Sequence, residues 1–174
     1  NLIILYITLQ GFKDLSKWYK IKLILNLIKF LEMILISHRG NIRGKELDNE
    51  NKPEYILNAI KLKYEVEVDV WSHKNKLYLG HDEPLFDFDD KLLNYSSLLW
   101  FHAKNLEALE ILHKLNLHYY WHQNDDVTLT SKGYWWTYPG KKLFKNSICV
   151  LPELNNNNSK ICAGYCSDFI QNYK

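Results

Sequence analysis

The most constraining feature of this sequence is a segment of strict alternation, YEVEVDVW at residues 64–71. Side chains of a β-strand point to opposite faces in turn, so the three valines lie on one face and Glu65, Glu67 and Asp69 on the other. Carboxylates gathered on one face are unfavourable unless a cation or a proton is shared between them. The segment therefore predicts a strand whose acidic face is partnered by a positive group.

Seven further apolar runs have the character of short strands. With the alternating segment, the predicted strands are Met33–Ser37, Tyr64–Trp71, Lys76–Gly80, Ser97–Phe101, His118–Trp121, Tyr134–Thr137, Ile148–Leu151 and Ala163–Cys166. Helical spacing of apolar residues marks Pro53–Leu62 and Leu106–Leu115. Strands that alternate with helices favour parallel pairing.

The predicted fold class is α/β, a compact (β/α)8 TIM-type barrel domain formed by residues 33–174. A usual barrel of this type takes about 250 residues. Because only 142 residues (174 minus 32) are present here, several outer helices must be shortened or missing. The six Trp and twelve Tyr residues of the chain are then expected to bury much of the sheet.

Residues 1–32 differ in character from the rest and form an N-terminal extension of uncertain nature. Leu, Ile and Lys dominate, and the single methionine, Met33, stands directly before the first predicted strand. Three interpretations remain open: an upstream stretch with the real start at Met33, a basic amphipathic helix on a membrane surface, or an anchor or signal. The uncharged run Asn1–Phe12 is shorter than the ~20 residues that span a bilayer, so the third is the weakest. Membrane contact is expected only through residues 1–32.

Charge and cysteine content exclude several classes of protein. The chain has 22 Lys and Arg against 20 Asp and Glu, a formal net charge of +2. It therefore lacks the basic excess typical of a nucleic-acid-binding surface. Its three cysteines, Cys149, Cys162 and Cys166, form no CxxC pair, which indicates reduced thiols rather than a disulfide scaffold or a zinc site. We predict a cytoplasmic protein that does not bind nucleic acid.

Polar groups occur where three of the predicted strands end. His38 and Arg39 follow the first strand, Glu67 and Asp69 lie on the second, and His81 follows the third. The carboxyl ends of the strands of a parallel barrel share one rim, so these groups are expected to converge. Paired carboxylates suit a hard divalent ion, which leaves open positions for a phosphate. The two histidines could then act as general base and general acid.

These motifs resemble those of the glycerophosphodiester phosphodiesterase family, within the superfamily of phospholipase-C-like phosphodiesterases. The matching motifs are His38-Arg39-Gly40, Glu50-Asn51, Glu67-Val68-Asp69-Val70 and Gly80-His81-Asp82-Glu83-Pro84, in the family's order and with closely similar separations. Weaker similarities follow at Trp136-Thr137 and Ala163–Phe169. The resemblance runs from Met33 to about Phe169, and its specific part is the first third.

The resemblance implies a role for each matching residue. His38 and His81 match the two catalytic histidines of the family, and Arg39 matches an arginine that contacts phosphate. Glu67 and Asp69 match carboxylates that hold a divalent metal ion. The implied cofactor is Mg or Ca, with Mn as a further candidate.

The fourth predicted strand departs from the family pattern. The family carries a third metal carboxylate there and a lysine two residues later. In this sequence Lys104 matches the lysine, whereas His102 stands in the place of the acid. Imidazole is a softer ligand than Mg or Ca usually selects, so Glu50, water or a transition ion are alternatives. The implied metal ligands are Glu67, Asp69 and His102.

The implied reaction is hydrolysis of a small glycerophosphodiester-type substrate by two-histidine acid–base catalysis. Arg39, Lys104 and Trp136 are the implied substrate-binding residues. The nucleophile is water or a neighbouring hydroxyl of the substrate, and positive charge stabilises the developing charge on the phosphoryl oxygens. The alternative is a catalytically weak or inactive relative that binds a phosphorylated ligand.

Some other conspicuous residues carry weaker expectations. His122 follows a predicted strand and could reach the rim, whereas Asp125 and Asp126 suit the cap of a helical turn. Tyr138 either lines a substrate pocket or fills a thin core. Glu153 ends the seventh predicted strand and is an additional candidate ligand.

Overall fold

The structure is a computed structural model that describes residues 33–155 and 161–174. Its strands are β1 (Ile34–His38), β2 (Glu65–His73), β3 (Lys76–Leu79), β4 (Phe86–Asp87), β5 (Leu99–Ala103), β6 (Tyr119–Tyr120), β7 (Val127–Leu129), β8 (Trp135–Thr137), β9 (Ser147–Val150) and β10 (Gly164–Ser167). The helices in these ranges are α1 (Pro53–Lys61), α2 (Leu106–Lys114) and the 3-10 segments Asp90–Leu98, Pro152–Leu154 and Ile170–Tyr173. The interpretations of residues 1–32 lie outside the described residues.

All ten strands belong to one sheet. Seven run parallel in the order β6-β5-β2-β1-β10-β9-β8, and β7 pairs antiparallel with β8. The antiparallel strands β3 and β4 extend from the end of β2. Tyr120 of β6 and Trp136 of β8 stack with their ring centroids 4.6 Å apart. Because β6 and β8 stand at opposite ends of the parallel order, the sheet must be strongly curled.

The predicted (β/α)8 barrel is wrong, although the eight predicted strands and both predicted helices are present. Within the described ranges an α-helix follows only β1 and β5, and no strand ladder joins β6 to β7 or β8. Among the described residues, the segments that connect the later strands consist of turns, bends and short 3-10 segments rather than outer helices. The result is a mixed α/β protein with a curled, open sheet.

The third predicted strand shows most clearly why the barrel fails. β2 and β3 are connected by Lys74 and Asn75, whose φ angles are 51° and 62°. Two consecutive residues with positive φ form a tight turn between antiparallel strands, whereas a parallel neighbour needs a crossover of about a dozen residues. β2 and β3 are accordingly a hairpin in which Val70 pairs with Leu79.

The concave face of the sheet carries an aromatic core, and the helices lie on β2 and β5. The core consists of Ile36, Trp100, Tyr120, Trp136, Ile148, Val150 and Cys166. Both helices contact β2, and α2 also contacts β5. Helix α2 begins at Asn105, whose side chain accepts a hydrogen bond from the Ala108 N–H at 3.0 Å, and it buries Ala108 and Leu112. Burial of each large aliphatic side chain contributes about 1.5–3 kcal/mol.

In the described part of the chain, no helix combines the length and the apolar character that crossing a membrane requires.

His118, directly before β6, gives a prediction about stability and pH. Its Nε2 lies 2.9 Å from Thr130 Oγ1, and its ring centroid lies 4.0 Å from that of Trp100. Burial, aided by the charge of Lys132, lowers the pKa of His118 from 6.5 to about 4. Between these pH values the unfolded chain binds a proton that the folded chain does not, so the free energy of unfolding should fall as the pH falls through this window.

Urea denaturation of the native protein and of His118→Gln at several pH values tests this prediction. We expect the variant to lose less stability than the native protein between pH 6.5 and about 4. Above about pH 7 the difference between the two proteins should no longer depend on pH. Parallel curves over the whole range would contradict the prediction.

Candidate functional site

Most residues of the candidate site come two positions after a core residue in the sequence, on a strand or directly after it. Side chains two apart on a strand share a face, so the concave face continues from the core toward the carboxyl ends of the parallel strands. The residues at these positions are His38, His102, His122, Tyr138 and Asp168, which come two residues after Ile36, Trp100, Tyr120, Trp136 and Cys166. Asp69 of β2 joins them because it pairs in register with His102 of β5.

The centre of the site is a buried cluster of Glu67, Asp69 and His102, named here the acidic cluster. One ligand atom from each residue lies within 4.8 Å of the others. His102 Nδ1 is 3.0 Å from Asp69 Oδ1 and 3.7 Å from Glu67 Oε1. Glu67 Oε2 has no hydrogen-bond partner among the described residues, which is uncommon for a buried carboxylate oxygen. These three residues, which the sequence predicted as metal ligands, could hold a divalent cation.

Positive groups around the acidic cluster determine its protonation. Burial raises the pKa of Asp69, but His102, Arg39 and Lys104 outweigh it and hold that pKa well below its ordinary value. Burial lowers the pKa of His102, but Asp69 and Glu67 raise it above 6.5 on balance. The carboxylates therefore favour an imidazolium at His102, and a divalent cation bound there would compete with that proton.

The Glu50-Asn51 motif supports the acidic cluster instead of joining it. Asn51 Nδ2 donates to Asp69 Oδ2 at 2.9 Å, and Asn51 Oδ1 accepts from the Asp69 N–H at 2.9 Å. Glu50 Oε2 accepts from Arg39 Nη1 at 3.0 Å. Arg39 Nε also lies 2.9 Å from Asp69 Oδ2, as an ion pair without a directed hydrogen bond. Arg39 is thus held beside the acidic cluster. Glu50, the alternative metal ligand, forms a hydrogen bond with Arg39 instead of joining the cluster.

His38, at the end of β1, is oriented by Asp168. His38 Nδ1 lies 2.7 Å from Asp168 Oδ1, and its Nε2 lies 3.9 Å from Glu67 Oε2. Asp168 is fixed in turn, since its Oδ1 accepts from Asn41 Nδ2 at 2.8 Å and its N–H donates to Glu153 Oε1 at 2.9 Å. Burial lowers the pKa of His38, but Asp168 and Glu67 raise it on balance. His38 Nε2 is therefore the atom available to exchange a proton at the acidic cluster.

Asp168 is a residue of the candidate site to which the sequence alone assigns no role. The segment Ala163–Phe169 shows only a weak similarity to the family, although Asp168 directly follows the last strand. The register of β1 and β10 pairs Ser37 with Ser167 and so brings Asp168 beside His38. Glu153, considered as an extra ligand, lies outside the acidic cluster and accepts from Ser167 Oγ at 2.9 Å.

His81 lies at the exposed edge of the site. The preceding Gly80 donates its N–H to Asp69 O at 3.2 Å. Gly80 has a φ of 149°, and a Cβ there would lie 2.1 Å from Glu83 O, so only glycine lets the chain fold back at this point. His81 Nδ1 lies 2.7 Å from Asp82 Oδ1, and its side chain is 41% exposed. Burial lowers the pKa of His81 against the opposing charge of Asp69.

The other predicted residues lie at different depths in the molecule. Lys104 Nζ is 3.4 Å from Asp69 Oδ1, beside the acidic cluster. Trp136 is only 2% exposed and belongs to the core. The ring of His122 stacks on that of His102, with the centroids 5.2 Å apart. Asp125 and Asp126 are exposed.

Comparisons of the chain with protein-family models, with curated proteins and with solved structures find no match. Its function is therefore inferred from the residues of the site.

Proposed function

We propose that the protein is a metal-dependent phosphodiesterase that hydrolyses glycerophosphodiester-type substrates, with His38 and His81 as the acid–base pair. One observation supports this most strongly. The ligand atoms of Glu67, Asp69 and His102 lie within 4.8 Å of one another, and His38 Nε2 lies 3.9 Å from Glu67 Oε2. A group that can transfer a proton thus stands next to a group of atoms suited to a cation.

The acidic cluster fits a divalent cation by its donor set. Two carboxylates suit Mg or Ca, and the imidazole extends the range to Mn. Glu67 Oε2, which lacks a hydrogen-bond partner among the described residues, would be free to coordinate the cation. A bound cation would supply charge stabilisation to the phosphoryl oxygens.

The surrounding residues would bind the diester and move protons. Arg39 and Lys104 provide cationic groups beside Asp69, where a phosphodiester anion would be attracted. The pKa of His38 is raised and that of His81 is lowered. Opposite shifts suit His38 to donate a proton to the leaving alkoxide and His81 to accept one from the nucleophile.

Hydrolysis of bis(p-nitrophenyl) phosphate by the full chain tests this proposal. After treatment with a chelator, activity should disappear and should return with Mn, Mg or Ca. His81→Ala should lower kcat by about 10²–10⁴-fold, the usual contribution of a general acid or base. His113→Ala is the matched control, because His113 is an exposed histidine on α2. Hydrolysis that resists the chelator, or full activity in His81→Ala, would contradict the proposal.

A second candidate function is binding of a phosphorylated ligand without hydrolysis. Asp69 is approached by Arg39 Nε at 2.9 Å, His102 Nδ1 at 3.0 Å and Lys104 Nζ at 3.4 Å. These groups neutralise the carboxylates without a metal ion. Calorimetric titration with glycerol phosphate in the presence of a chelator separates the candidates, because tight binding by a protein that cleaves no diester would favour this second function.

We also propose a cytoplasmic location. Cys149 and Cys166 are buried thiols, as expected of a protein in a reducing compartment.

A further inference from the structure

The outer face of the hairpin formed by β7 and β8 carries large apolar side chains that the proposed reaction does not use. Leu129 of β7 pairs in register with Trp135 of β8, and the two residues are 66% and 37% exposed. Directly paired residues of antiparallel strands share a face. The ring of Phe144 packs against that of Trp135 with the centroids 5.0 Å apart, and Phe144 is 41% exposed. These three residues and the exposed Val127 of β7 are named here the hairpin surface.

The hairpin surface lies on the opposite side of the sheet from the candidate site. Side chains alternate along a strand, so Trp135 and Trp136 point to opposite faces of β8. Trp136 belongs to the aromatic core on the concave face, and Trp135 therefore points outward. Adjoining exposed apolar side chains of this size are typical of an interaction surface. A partner bound to the hairpin surface would leave the acidic cluster accessible to substrate.

The part of the chain that forms the hairpin surface is basic. Residues 127–147 contain four lysines and no acidic residue, although the net charge of the whole chain is only +2. Lys142 Nζ lies 5.1 Å from the centroid of the Phe144 ring. Lys132 is in the turn between the two strands, and Lys145 directly follows Phe144. The hairpin surface therefore suits a partner that is both apolar and anionic.

We propose that the hairpin surface docks on an anionic lipid bilayer. Tryptophan rings are enriched at the membrane interface, where aliphatic side chains reach the acyl chains and lysines contact anionic headgroups. Docking through this surface is independent of the proposed function and of residues 1–32, the segment through which the sequence predicts membrane contact.

Charge and apolar area decide against two other partners. A second copy of the chain is disfavoured, because self-association through this surface would bring two sets of lysines together. Asp126, directly before β7, lies 2.6 Å from Lys141 Nζ and offsets one of the four positive charges. A single-stranded nucleic acid could stack on Trp135, but it offers little apolar area to Leu129 and Val127. A bilayer satisfies both the lysines and the aliphatic side chains.

Sedimentation of the full chain with vesicles of phosphatidylcholine, with and without about one third phosphatidylglycerol, tests the proposal. We expect the partition coefficient to be about tenfold higher on the anionic vesicles and to fall as salt is added. Leu129→Ser should lower it about tenfold, because the leucine side chain no longer leaves water on binding. Leu106→Ser is the matched control, since Leu106 is 68% exposed on α2; it should bind vesicles as the native chain does. Hydrolysis of bis(p-nitrophenyl) phosphate should be unchanged in both variants.

A fluorophore sensitive to polarity, attached at Leu129→Cys, shows whether the hairpin surface itself enters the bilayer, whichever other part of the chain touches lipid. The three native cysteines are buried, so an exposed thiol introduced by substitution is labelled selectively. On anionic vesicles the emission should shift to shorter wavelength for Leu129→Cys and stay unchanged for Leu106→Cys. Thermal denaturation verifies that each variant is folded.

Four results would overturn the proposal while the proposed function stands. These are failure of the chain to sediment with anionic vesicles, equal partition of Leu129→Ser and Leu106→Ser, unchanged emission from Leu129→Cys on vesicles, and displacement of the chain from vesicles by a single-stranded oligonucleotide that shifts the same emission. Vesicle binding is measured without hydrolysis, so loss of diester hydrolysis would overturn the proposed function and leave the docking surface in place.

Discussion

Replacement of His38 by alanine is expected to lower kcat for phosphodiester hydrolysis by about 10²–10⁴-fold, with little change in metal affinity. In the proposed reaction His38 exchanges its proton through Nε2, which lies 3.9 Å from Glu67 Oε2, but it does not belong to the acidic cluster. Loss of the imidazole therefore removes proton transfer and leaves Glu67, Asp69 and His102 in place. Steady-state kinetics with a diester of glycerol and ethanol, whose alkoxide leaving group needs a proton, combined with a manganese titration, measures the two effects separately.

Asp168→Asn gives a more specific test of the same histidine. The hydrogen bond that Asp168 accepts from His38 raises the pKa of His38 against the effect of burial, so the variant should shift the His38 limb of the pH–rate profile to lower pH. A variant that only perturbed the fold would lower the rate without moving this limb. Native activity in His38→Ala would show that His38 has no catalytic role, and an unchanged pH profile in Asp168→Asn would show that Asp168 does not set the pKa that governs the rate.

Local elements of this fold could be predicted because they depend on residues close together in the chain. The alternation in β2 and the apolar spacing in α1 each identify an element without knowledge of its neighbours. The strands β4 and β7 were missed, since Phe86–Asp87 and Val127–Leu129 are short and depend on pairing with β3 and β8. Closure of the sheet could not be predicted from the number of strands. Closure into a parallel barrel depends on the length of the crossover segments between strands. The two-residue turn at Lys74 and Asn75 is too short for a crossover and excludes a fully parallel barrel.

The candidate site shows the same division between local and distant information. The alternation of β2 predicts that Glu67 and Asp69 lie on the same face of the strand. The end of the first predicted strand likewise predicts that His38 lies at the rim. Asp168 could not be assigned from the sequence, because its contact with His38 joins residues 130 positions apart through the register of β1 and β10. Trp136, which the resemblance implies as a substrate-binding residue, lies in the core, and the residue two positions later is Tyr138.

Replacement of Asp69 by asparagine is expected to remove metal binding and also to destabilise the protein, by about 3 kcal/mol or more. Asp69 is fully buried, and Arg39, His102 and Lys104 all approach its carboxylate. Removal of its negative charge leaves these cationic groups without their main counter-charge. The free energy of unfolding of the metal-free variant, measured in urea, should therefore fall even though metal binding plays no part in that measurement.

Glu67→Gln is the matched control, because Glu67 is almost equally buried on the same strand but its charged neighbours among the described residues are histidines at the longer distances of 3.7 Å (His102) and 3.9 Å (His38). Its loss should abolish metal-induced stabilisation while changing the stability of the metal-free protein by less than about 1 kcal/mol. Thermal denaturation with and without manganese measures the first effect, and urea denaturation with a chelator measures the second. If Asp69→Asn and Glu67→Gln destabilise the metal-free protein equally, the cations around Asp69 do not depend on its charge. If manganese stabilises either variant as it stabilises the native protein, that residue is not a metal ligand.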